Sequence, residues 1–228
     1  APMLAVFLLV GCVFYATVRV KGSPSQENSS ATSATSLTTT KSKAPPSPRS
    51  TFPPAIPGFQ GVAVSTRGIA YDVPAQWEVD SPGTIRGFEN SAGDRIGGTG
   101  TATEGEDYCP ETSRALSFVS RPDPTDAATA AAEVGRLAAK VGFEDLSGGE
   151  TTMPVEFGTA TGILGQLAET SGLRHTPGCT GDRYSVYTFV FPGPQHPLLA
   201  LTVSAARNTP GEITPEVVRQ ILSSVRYI

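Results

Sequence analysis

Charged residues and cysteine are both scarce in this chain of 228 residues. Charged side chains make up 17% of the sequence, below the roughly 25% of an average soluble protein. Three cysteines are too few for a disulfide-dense mini-scaffold or for a four-thiolate zinc site within one chain. The formal net charge of −4 gives no basic excess to neutralise phosphates, so no nucleic-acid partner is expected.

The sequence also lacks the motifs that carry common chemistry. It has no Gly-x-Ser-x-Gly elbow, no His-Glu-x-x-His, no phosphate-binding loop and no EF-hand loop. An acidic loop lacks the ligand spacing of a calcium site, and we expect it to be solvated; it holds Glu104, Glu106, Asp107 and Glu111. No cofactor, no metal and no catalytic residue are therefore predicted.

The N-terminal residues form one long apolar run. Fifteen of the first 18 residues are apolar, and no charge precedes Arg19. A helix of about 20 residues is long enough to cross the hydrocarbon core of a bilayer. A buried soluble helix is the weaker interpretation, because an apolar block without a polar face does not suit the surface of a small domain. Residues 1–21 are therefore predicted to be a transmembrane anchor.

Two versions of this membrane prediction stay open. The tetrapeptide Leu9-Val10-Gly11-Cys12 resembles a bacterial lipobox, in which Cys12 is lipidated and the preceding residues are removed. Lipoproteins turn polar soon after that cysteine, whereas residues 13–18 continue the apolar run. This continuation favours an uncleaved single-pass anchor in which Cys12 is an ordinary apolar helix residue.

Residues 22–57 have a different composition, because 22 of these 36 residues are Ser, Thr or Pro. Leu37, Phe52 and Ile56 are their only large aliphatic or aromatic side chains. Such a segment cannot bury enough apolar surface to offset its ordering entropy. We therefore predict a disordered linker between the anchor and the remaining residues.

The remaining residues, 58–228, carry a net charge of −8 and contain two cysteines, Cys109 and Cys179. One intradomain pairing is possible, and such a disulfide persists in an oxidising compartment. Two unpaired thiols in a reduced compartment are the alternative. Arg19 and Lys21 after the apolar run favour a cytoplasmic location for the C-terminal side of the chain. The linker and the cysteine pair favour the outside, and we weight them more, so an extracytoplasmic domain is expected.

Short β-prone runs are predicted at 62–64, 69–73, 77–79, 84–88, 95–102 and 115–120, and stronger strands at 155–169, 184–191 and 198–206. Apolar spacing predicts a helix over 123–141, capped by Asp123 or Thr125 and stopped by Gly142. This order of elements predicts an α+β domain with an antiparallel sheet flanked by helices.

The final helix has the clearest signals. Thr214 suits the N-cap, Pro215 the first helical position and Glu216 the positive end of the helix dipole. An apolar stripe comes next at helical spacing, formed by Val217, Val218, Ile221, Leu222 and Val225. We expect this helix to pack against the sheet.

Two segments resemble a known fold. Tyr71–Val79 is similar to the strand–Pro–x–x–Trp entry of PsbP-like α/β/α sandwiches, and Ile221–Arg226 is similar to their C-terminal helix. A closer resemblance, to membrane-anchored extracytoplasmic domains of unknown function in actinobacteria, is carried by Tyr71–Phe88, Tyr108-Cys109-Pro110 and the C-terminal helix. The resemblance covers about Gly61–Ile228. It implies a PsbP-like sandwich and an extracytoplasmic address, but no reaction and no metal.

A paired disulfide could gather four side chains as tentative ligand contacts, namely Tyr108, Arg114, His175 and Arg183. A structural or solvated role for them is the plainer interpretation, and His196 in a proline-rich turn is expected to be solvated. The expected function is a non-catalytic binding or interaction module of the bacterial cell envelope, whose partner is an envelope ligand or protein. The alternatives are a cell-wall hydrolase with an unrecognised site and the extracytoplasmic sensor domain of a larger signalling protein.

Overall fold

The structure, a computed structural model, describes residues 52–106, 108–109, 112–123, 125–174 and 179–228. The predicted anchor at 1–21, Cys12 within it, and most of the predicted linker lie outside these residues. None of the helices that the structure does describe is long and apolar enough to span a bilayer.

Twelve strands and two helices succeed one another in the described residues. They are β1 (Phe59–Val64), β2 (Ile69–Pro74), β3 (Glu78–Val79), β4 (Arg86–Glu89), β5 (Arg95–Glu104), β6 (Ala115–Ser120), α1 (Ala127–Gly142), β7 (Glu150–Thr151), β8 (Val155–Gly158), β9 (Leu164–Leu173), β10 (Arg183–Phe191), β11 (Leu199–Arg207), α2 (Pro215–Ser223) and β12 (Arg226–Tyr227).

Nine strands form one central antiparallel sheet in the order β3-β5-β6-β11-β10-β9-β7, with β4 paired to β5 and β8 paired to β9. Strands β6, β10 and β11 are buried along almost their whole length. Because successive side chains of a strand point to opposite faces, β10 contributes Phe189 and Phe191 to one core cluster and Val186 and Val190 to another. Both faces of the sheet must therefore be covered.

Helix α1 covers one face with small side chains. Five of its buried residues are alanines, which allow the helix backbone to lie close to the strands. The approach is tightest at Gly135, where a Cβ atom would lie 2.4 Å from Oγ1 of Thr170. The strands supply the larger side chains of this cluster, among them Phe118 and Tyr184.

Helix α2 and a second, three-stranded sheet with the order β1-β2-β12 cover the other face. The predicted stripe of α2 is buried there at Val218, Ile221 and Leu222. Trp77 is 3% exposed in the same cluster. The predicted α+β class, a mostly antiparallel sheet with helices packed on it, is confirmed.

Both helices begin at a side-chain cap, but only one of the two caps matches the prediction. Thr214 caps α2 as predicted, and its side chain accepts a hydrogen bond from the backbone N–H three residues later. In α1 the cap is Asp126, whose carboxylate accepts from the Thr129 N–H at 2.7 Å. The predicted caps Asp123 and Thr125 are wrong, because several residues able to cap lie close together before this helix.

Gly142 does not stop α1 in the predicted way. It is the last helical residue, and the left-handed conformation comes at Glu144, with φ of 55°. A Cβ atom on Gly142 would lie 2.6 Å from Cγ of Phe88. The glycine therefore serves the close approach of an aromatic ring to the helix rather than a left-handed turn.

The predicted strand over 155–169 is two strands. Strand β8 ends at Gly158 and β9 begins at Leu164, and the two pair antiparallel. In the turn between them the Thr159 N–H donates to the Ile163 carbonyl at 2.9 Å, and Gly162 has φ of +87°. The β-prone residues on both sides of this turn hide it from a prediction based on composition.

Residues 52–57, which composition assigns to the linker, are attached to the folded body; we call them the strap. Asp72, which is fully buried, accepts hydrogen bonds from the backbone N–H groups of Ala55 and Ile56 at 2.7 and 2.9 Å. Its other oxygen lies 2.9 Å from Nη2 of Arg226 in β12. The strap is therefore joined to the folded body through Asp72.

Candidate functional site

The predicted disulfide joins Cys109 and Cys179, whose Cα atoms are 5.0 Å apart. The Arg174 guanidinium packs on it, with Nη2 at 3.0 and 3.2 Å from the two sulfur atoms. The guanidinium carbon also lies 5.5 Å from the centre of the Tyr108 ring. No described carboxylate forms an ion pair with Arg174, and its burial lowers the pKa of this arginine. This end of the central sheet is a packed corner around a buried cation.

The structure places two of the tentative ligand contacts near this disulfide. Tyr108 lies at Arg174, and its hydroxyl has no hydrogen-bond partner in the described part of the chain. Arg114 donates from Nε to Glu104 at 2.8 Å and from Nη1 to the Pro210 carbonyl at 2.7 Å. The hydrogen bonds with Glu104 raise the pKa of Arg114. Arg114 is therefore already engaged by protein groups.

Of the other two contacts the structure describes one, whose backbone pairs with Leu173 next to Arg174. Arg183 is the exposed first residue of β10, and His175 lies outside the described residues. The predicted set omits Arg174, because a single sequence gives no signal that separates a buried arginine from an exposed one. A ligand role for these residues stays a prediction.

A groove of about 610 Å³ lies near the other end of the central sheet, between the β4–β5 hairpin and α1. Apolar side chains line it, of which Ile96 and Val134 are buried and Leu137 is 38% exposed. The charged side chains described in its lining all belong to exposed residues, namely Arg86, Glu89, Arg95, Arg121, Asp123 and Glu133. The groove thus combines an apolar interior with a rim of both charge signs.

The β4–β5 hairpin is held against α1 at two points. The Phe88 ring packs edge-on against Phe118, with centroids 6.4 Å apart, and lies 5.8 Å from the Phe143 ring. Near the hairpin turn, Asp94 forms a 3.0 Å ion pair with Nζ of Lys140 in α1. These contacts fix the two walls, so the groove does not depend on a ligand to form it.

The rim arginine Arg86 is oriented by a pair of bonds to one carboxylate. Its Nε and Nη2 lie 2.6 and 2.9 Å from the two oxygens of Asp80, and Asp80 also accepts from the Thr101 hydroxyl at 2.6 Å. The Asp80 hydrogen bonds raise the pKa of Arg86. A bidentate pair of this kind holds the guanidinium plane in one direction.

The groove adjoins a second cavity of about 370 Å³, because Arg121, Pro122 and Asp123 line both. Beside this cavity lie three side chains that we call the cationic corner: Arg67, Arg121 and His196. Arg67 comes from the turn between β1 and β2 and His196 from the turn between β10 and β11. Nη1 of Arg67 is 3.2 Å from Nε2 of His196. Three separate connections thus bring these side chains together.

The cationic corner has positive charge without an ion-pair partner. Desolvation lowers the pKa of His196, and Arg67 and Arg121 lower it further. Desolvation also lowers the pKa of Arg67, again with a contribution from Arg121. In the part of the chain that the structure describes, neither arginine forms an ion pair with a carboxylate. The buried Nε of Arg67 has no hydrogen-bond partner among these residues either.

Other described parts of the molecule are less suited to bind a ligand. A cavity of about 680 Å³ lies beside the β8–β9 turn and β12, and the one charged residue that the structure describes in its lining, Arg226, is already paired with Asp72. Across the described ranges, no group of three or more His, Cys, Asp or Glu side chains could hold a metal ion. The groove and its cationic corner are therefore the candidate site.

Comparisons with known proteins show a family and a distant fold likeness. The sequence profile of a family described as a domain of unknown function, DUF8017, matches residues 52–228. No curated protein matches the chain in sequence. The crystal structure of the Saccharomyces cerevisiae Ran-binding protein Mog1p is similar over 74% of this chain and 95% of the Mog1p chain, with 11% identity and a TM-score of 0.35. A likeness of this size does not extend the binding property of Mog1p to this chain.

Proposed function

The chain belongs to the DUF8017 family, a domain of unknown function, and on that premise we propose that it is a membrane-anchored, extracytoplasmic binding module of the bacterial cell envelope. Its ligand would occupy the groove between the β4–β5 hairpin and α1. The groove is the observation that carries the proposal, since a preformed concave site with apolar walls and a few fixed polar groups is typical of ligand binding.

The Cys109–Cys179 disulfide supports the extracytoplasmic part of the proposal. Disulfides persist in oxidising compartments and are rare where thiols are kept reduced. The apolar run at 1–21 and the Ser/Thr/Pro-rich residues after it would supply the membrane anchor and the spacer. The PsbP-like fold and the actinobacterial origin that the resemblance implies belong to this proposal as well.

Exposed apolar side chains near the mouth of the groove support binding as its role. Ile85 is 74% exposed and Leu137 is 38% exposed, and both line the groove. Apolar side chains left open to water beside a charged rim mark contact surfaces for ligands or partners. The ligand would cover these two side chains.

The runner-up function is hydrolysis of cell-wall material in the same groove. Three carboxylates, Glu89, Asp123 and Glu133, line it together with one hydroxyl, that of Ser120. Paired carboxylates are the groups that glycoside hydrolysis uses. The third alternative, a sensor domain, would use the same groove as its input site.

Binding is tested with the full chain in non-ionic detergent, immobilised and exposed to separated polysaccharide and lipid fractions of a bacterial envelope. We expect retention of one fraction by the unaltered chain and its loss in Leu137→Glu, which puts a charge into the apolar groove. The matched control is Leu146→Glu, because Leu146 is 83% exposed and does not line the groove.

Retention that is equal in Leu137→Glu and Leu146→Glu would remove the groove from the proposal, and retention of no fraction would reject the binding function. Release of soluble sugar fragments from a fraction, abolished in Glu133→Gln, would replace binding by hydrolysis.

A further inference from the structure

We propose that the cationic corner is an oxyanion subsite, which binds a phosphate or carboxylate group of the ligand whose body lies in the groove. This inference rests on the proposed function, which places the body of the ligand in the groove. The shared chemistry is an anionic oxygen group that accepts hydrogen bonds from Arg121 and His196 in the positive field of Arg67.

The cationic corner gathers positive charge on a domain that is acidic as a whole. The residues from 58 onward carry a net charge of −8, so carboxylates are plentiful. Four other arginines each pair with a carboxylate, namely Arg86, Arg95, Arg114 and Arg226. Arg67 and Arg121 instead lie close enough for Arg121 to lower the pKa of Arg67. Two cations gathered without a described ion-pair partner destabilise the fold slightly, and a bound anion would remove that repulsion.

The corner also has hydrogen-bond donors to offer. Arg67 can only donate, so the 3.2 Å contact requires Nε2 of His196 to accept. The imidazole is then neutral and carries its proton on Nδ1, which is a donor. The Arg121 guanidinium makes no hydrogen bond or ion pair within the described residues, so its five donors are free for a ligand. Donors and positive charge together are what an anionic oxygen group needs.

The position of the corner suits one end of a ligand that lies in the groove. The cavity at the corner shares Arg121, Pro122 and Asp123 with the groove, so one ligand could reach both. Among the described residues, Asp123 is the one acidic side chain that lines this cavity, and it leaves the corner with a single net positive charge when His196 is neutral. Thr125, at the same cavity, adds a hydroxyl. Charge of this size selects for a small anionic group rather than for a polyanion.

The test monitors the imidazole signals of the full chain, labelled at histidine and dissolved in non-ionic detergent without added phosphate. The sequence has two histidines, so His196→Asn assigns the signals. We expect methyl phosphate or acetate to shift the His196 signals in a saturable way and to raise the pKa of His196, because a nearby anion favours the charged imidazole. Tighter binding of methyl phosphate would identify a phosphate group, and tighter binding of acetate a carboxylate.

Three variants locate the binding. Arg121→Gln should weaken binding of the probe by at least about tenfold, as expected for the loss of a charge-assisted hydrogen bond. Arg67→Gln should also weaken it, because it removes the positive field of Arg67. Arg121→Gln is the safer of the two, because Arg121 is exposed and holds no other described group. The matched control is Arg219→Gln on the exposed face of α2, which removes the same charge elsewhere and should leave the affinity within about twofold.

The subsite is rejected when neither probe shifts the His196 signals in a saturable way, or when Arg219→Gln weakens binding as much as Arg121→Gln does. Its failure is separable from failure of the proposed function. If the unaltered chain and Arg121→Gln retain an envelope fraction equally, the subsite is rejected and the groove remains the binding site. If methyl phosphate binds saturably but no envelope fraction is retained, the subsite is supported and the proposed function is rejected.

Discussion

Gly142 has two possible roles, ending α1 in a left-handed turn or allowing the Phe88 ring to approach the helix, and adding a Cβ atom there tests which one holds. A glycine that ends a helix in the left-handed conformation is strained by alanine whatever surrounds it. Gly142 is instead helical, and an added Cβ would lie 2.6 Å from the Phe88 ring. Alanine favours a helix over glycine by about 1 kcal/mol, whereas overpacking a core destabilises by about 1–3 kcal/mol. We therefore expect Gly142→Ala to lower the free energy of unfolding by about 1 kcal/mol, measured by urea denaturation.

The background variant Phe88→Ala decides between the two roles. Without the ring there is no clash, so adding Gly142→Ala to Phe88→Ala should be neutral or stabilising by up to about 1 kcal/mol. A similar loss of stability in both backgrounds would restore the helix-stop role that the sequence predicts. The same ring forms one wall of the groove, so this residue pair also links stability to the candidate site.

At the scale of elements, the strap and β12 are joined through one buried carboxylate. Asp72 accepts two backbone N–H groups of the strap and pairs with Arg226. Removing one partner of a buried ion pair typically destabilises by about 3–5 kcal/mol, because the other charge is left without compensation. We expect Asp72→Asn to lower the free energy of unfolding by about 3 kcal/mol and to speed hydrogen exchange at the Ala55 and Ile56 amides.

Glu89→Gln is the control for this prediction. Glu89 and Arg95 form a 3.5 Å pair whose side chains are 61% and 75% exposed, and such surface pairs contribute about 0–1 kcal/mol. Equal effects of Asp72→Asn and Glu89→Gln would mean that the buried pair does not hold the strap.

The elements that the sequence predicts correctly are those whose signals are local. The Thr214-Pro215 start and the apolar stripe of α2 lie within one short segment, and the strand over 115–120 has the predicted bounds. The β8–β9 turn is missed because β-prone residues lie on both sides of it and extend the pattern across it. The sequence does not predict strand β12, because its two residues, which pair with β2, are too few to show a periodicity. It does not predict the attachment of the strap either, because that attachment depends on Asp72, which is 16 residues beyond Ile56.

At the scale of the whole molecule, the cationic corner shows why the candidate site is harder to predict than the fold. Arg67 and His196 are 129 positions apart, and each lies in a turn that on its own suggests solvation. Their contact results from the stacking of the small sheet on the central one, which no local pattern encodes. The disulfide is the exception, because two cysteines in one domain leave a single pairing to consider.

The three cysteines allow the extracytoplasmic location of the domain and the lipidation of Cys12 to be tested together. Cys109 and Cys179 are 70 positions apart, and a cross-link over a loop of that length stabilises by about 4 kcal/mol in the chain-entropy model. We expect the double variant Cys109→Ala/Cys179→Ala to lose about 4 kcal/mol of the free energy of unfolding and so to unfold at a lower urea concentration. Reductant should bring the urea midpoint of the unaltered chain to the same value.

The remaining alternatives are a lipidated or an unlipidated Cys12, and a formed or a reduced cysteine pair. They are separated by counting the free thiols of protein that is isolated from native membranes and unfolded without reductant. The sequence has three cysteines. A disulfide with an unlipidated Cys12 in a transmembrane anchor leaves one reactive thiol, and this is the expected result. No reactive thiol would indicate the lipidated alternative, because a thioether has replaced the Cys12 thiol. Three reactive thiols would contradict the disulfide in the native protein, and with it the extracytoplasmic address, since an oxidising compartment would not leave that pair reduced.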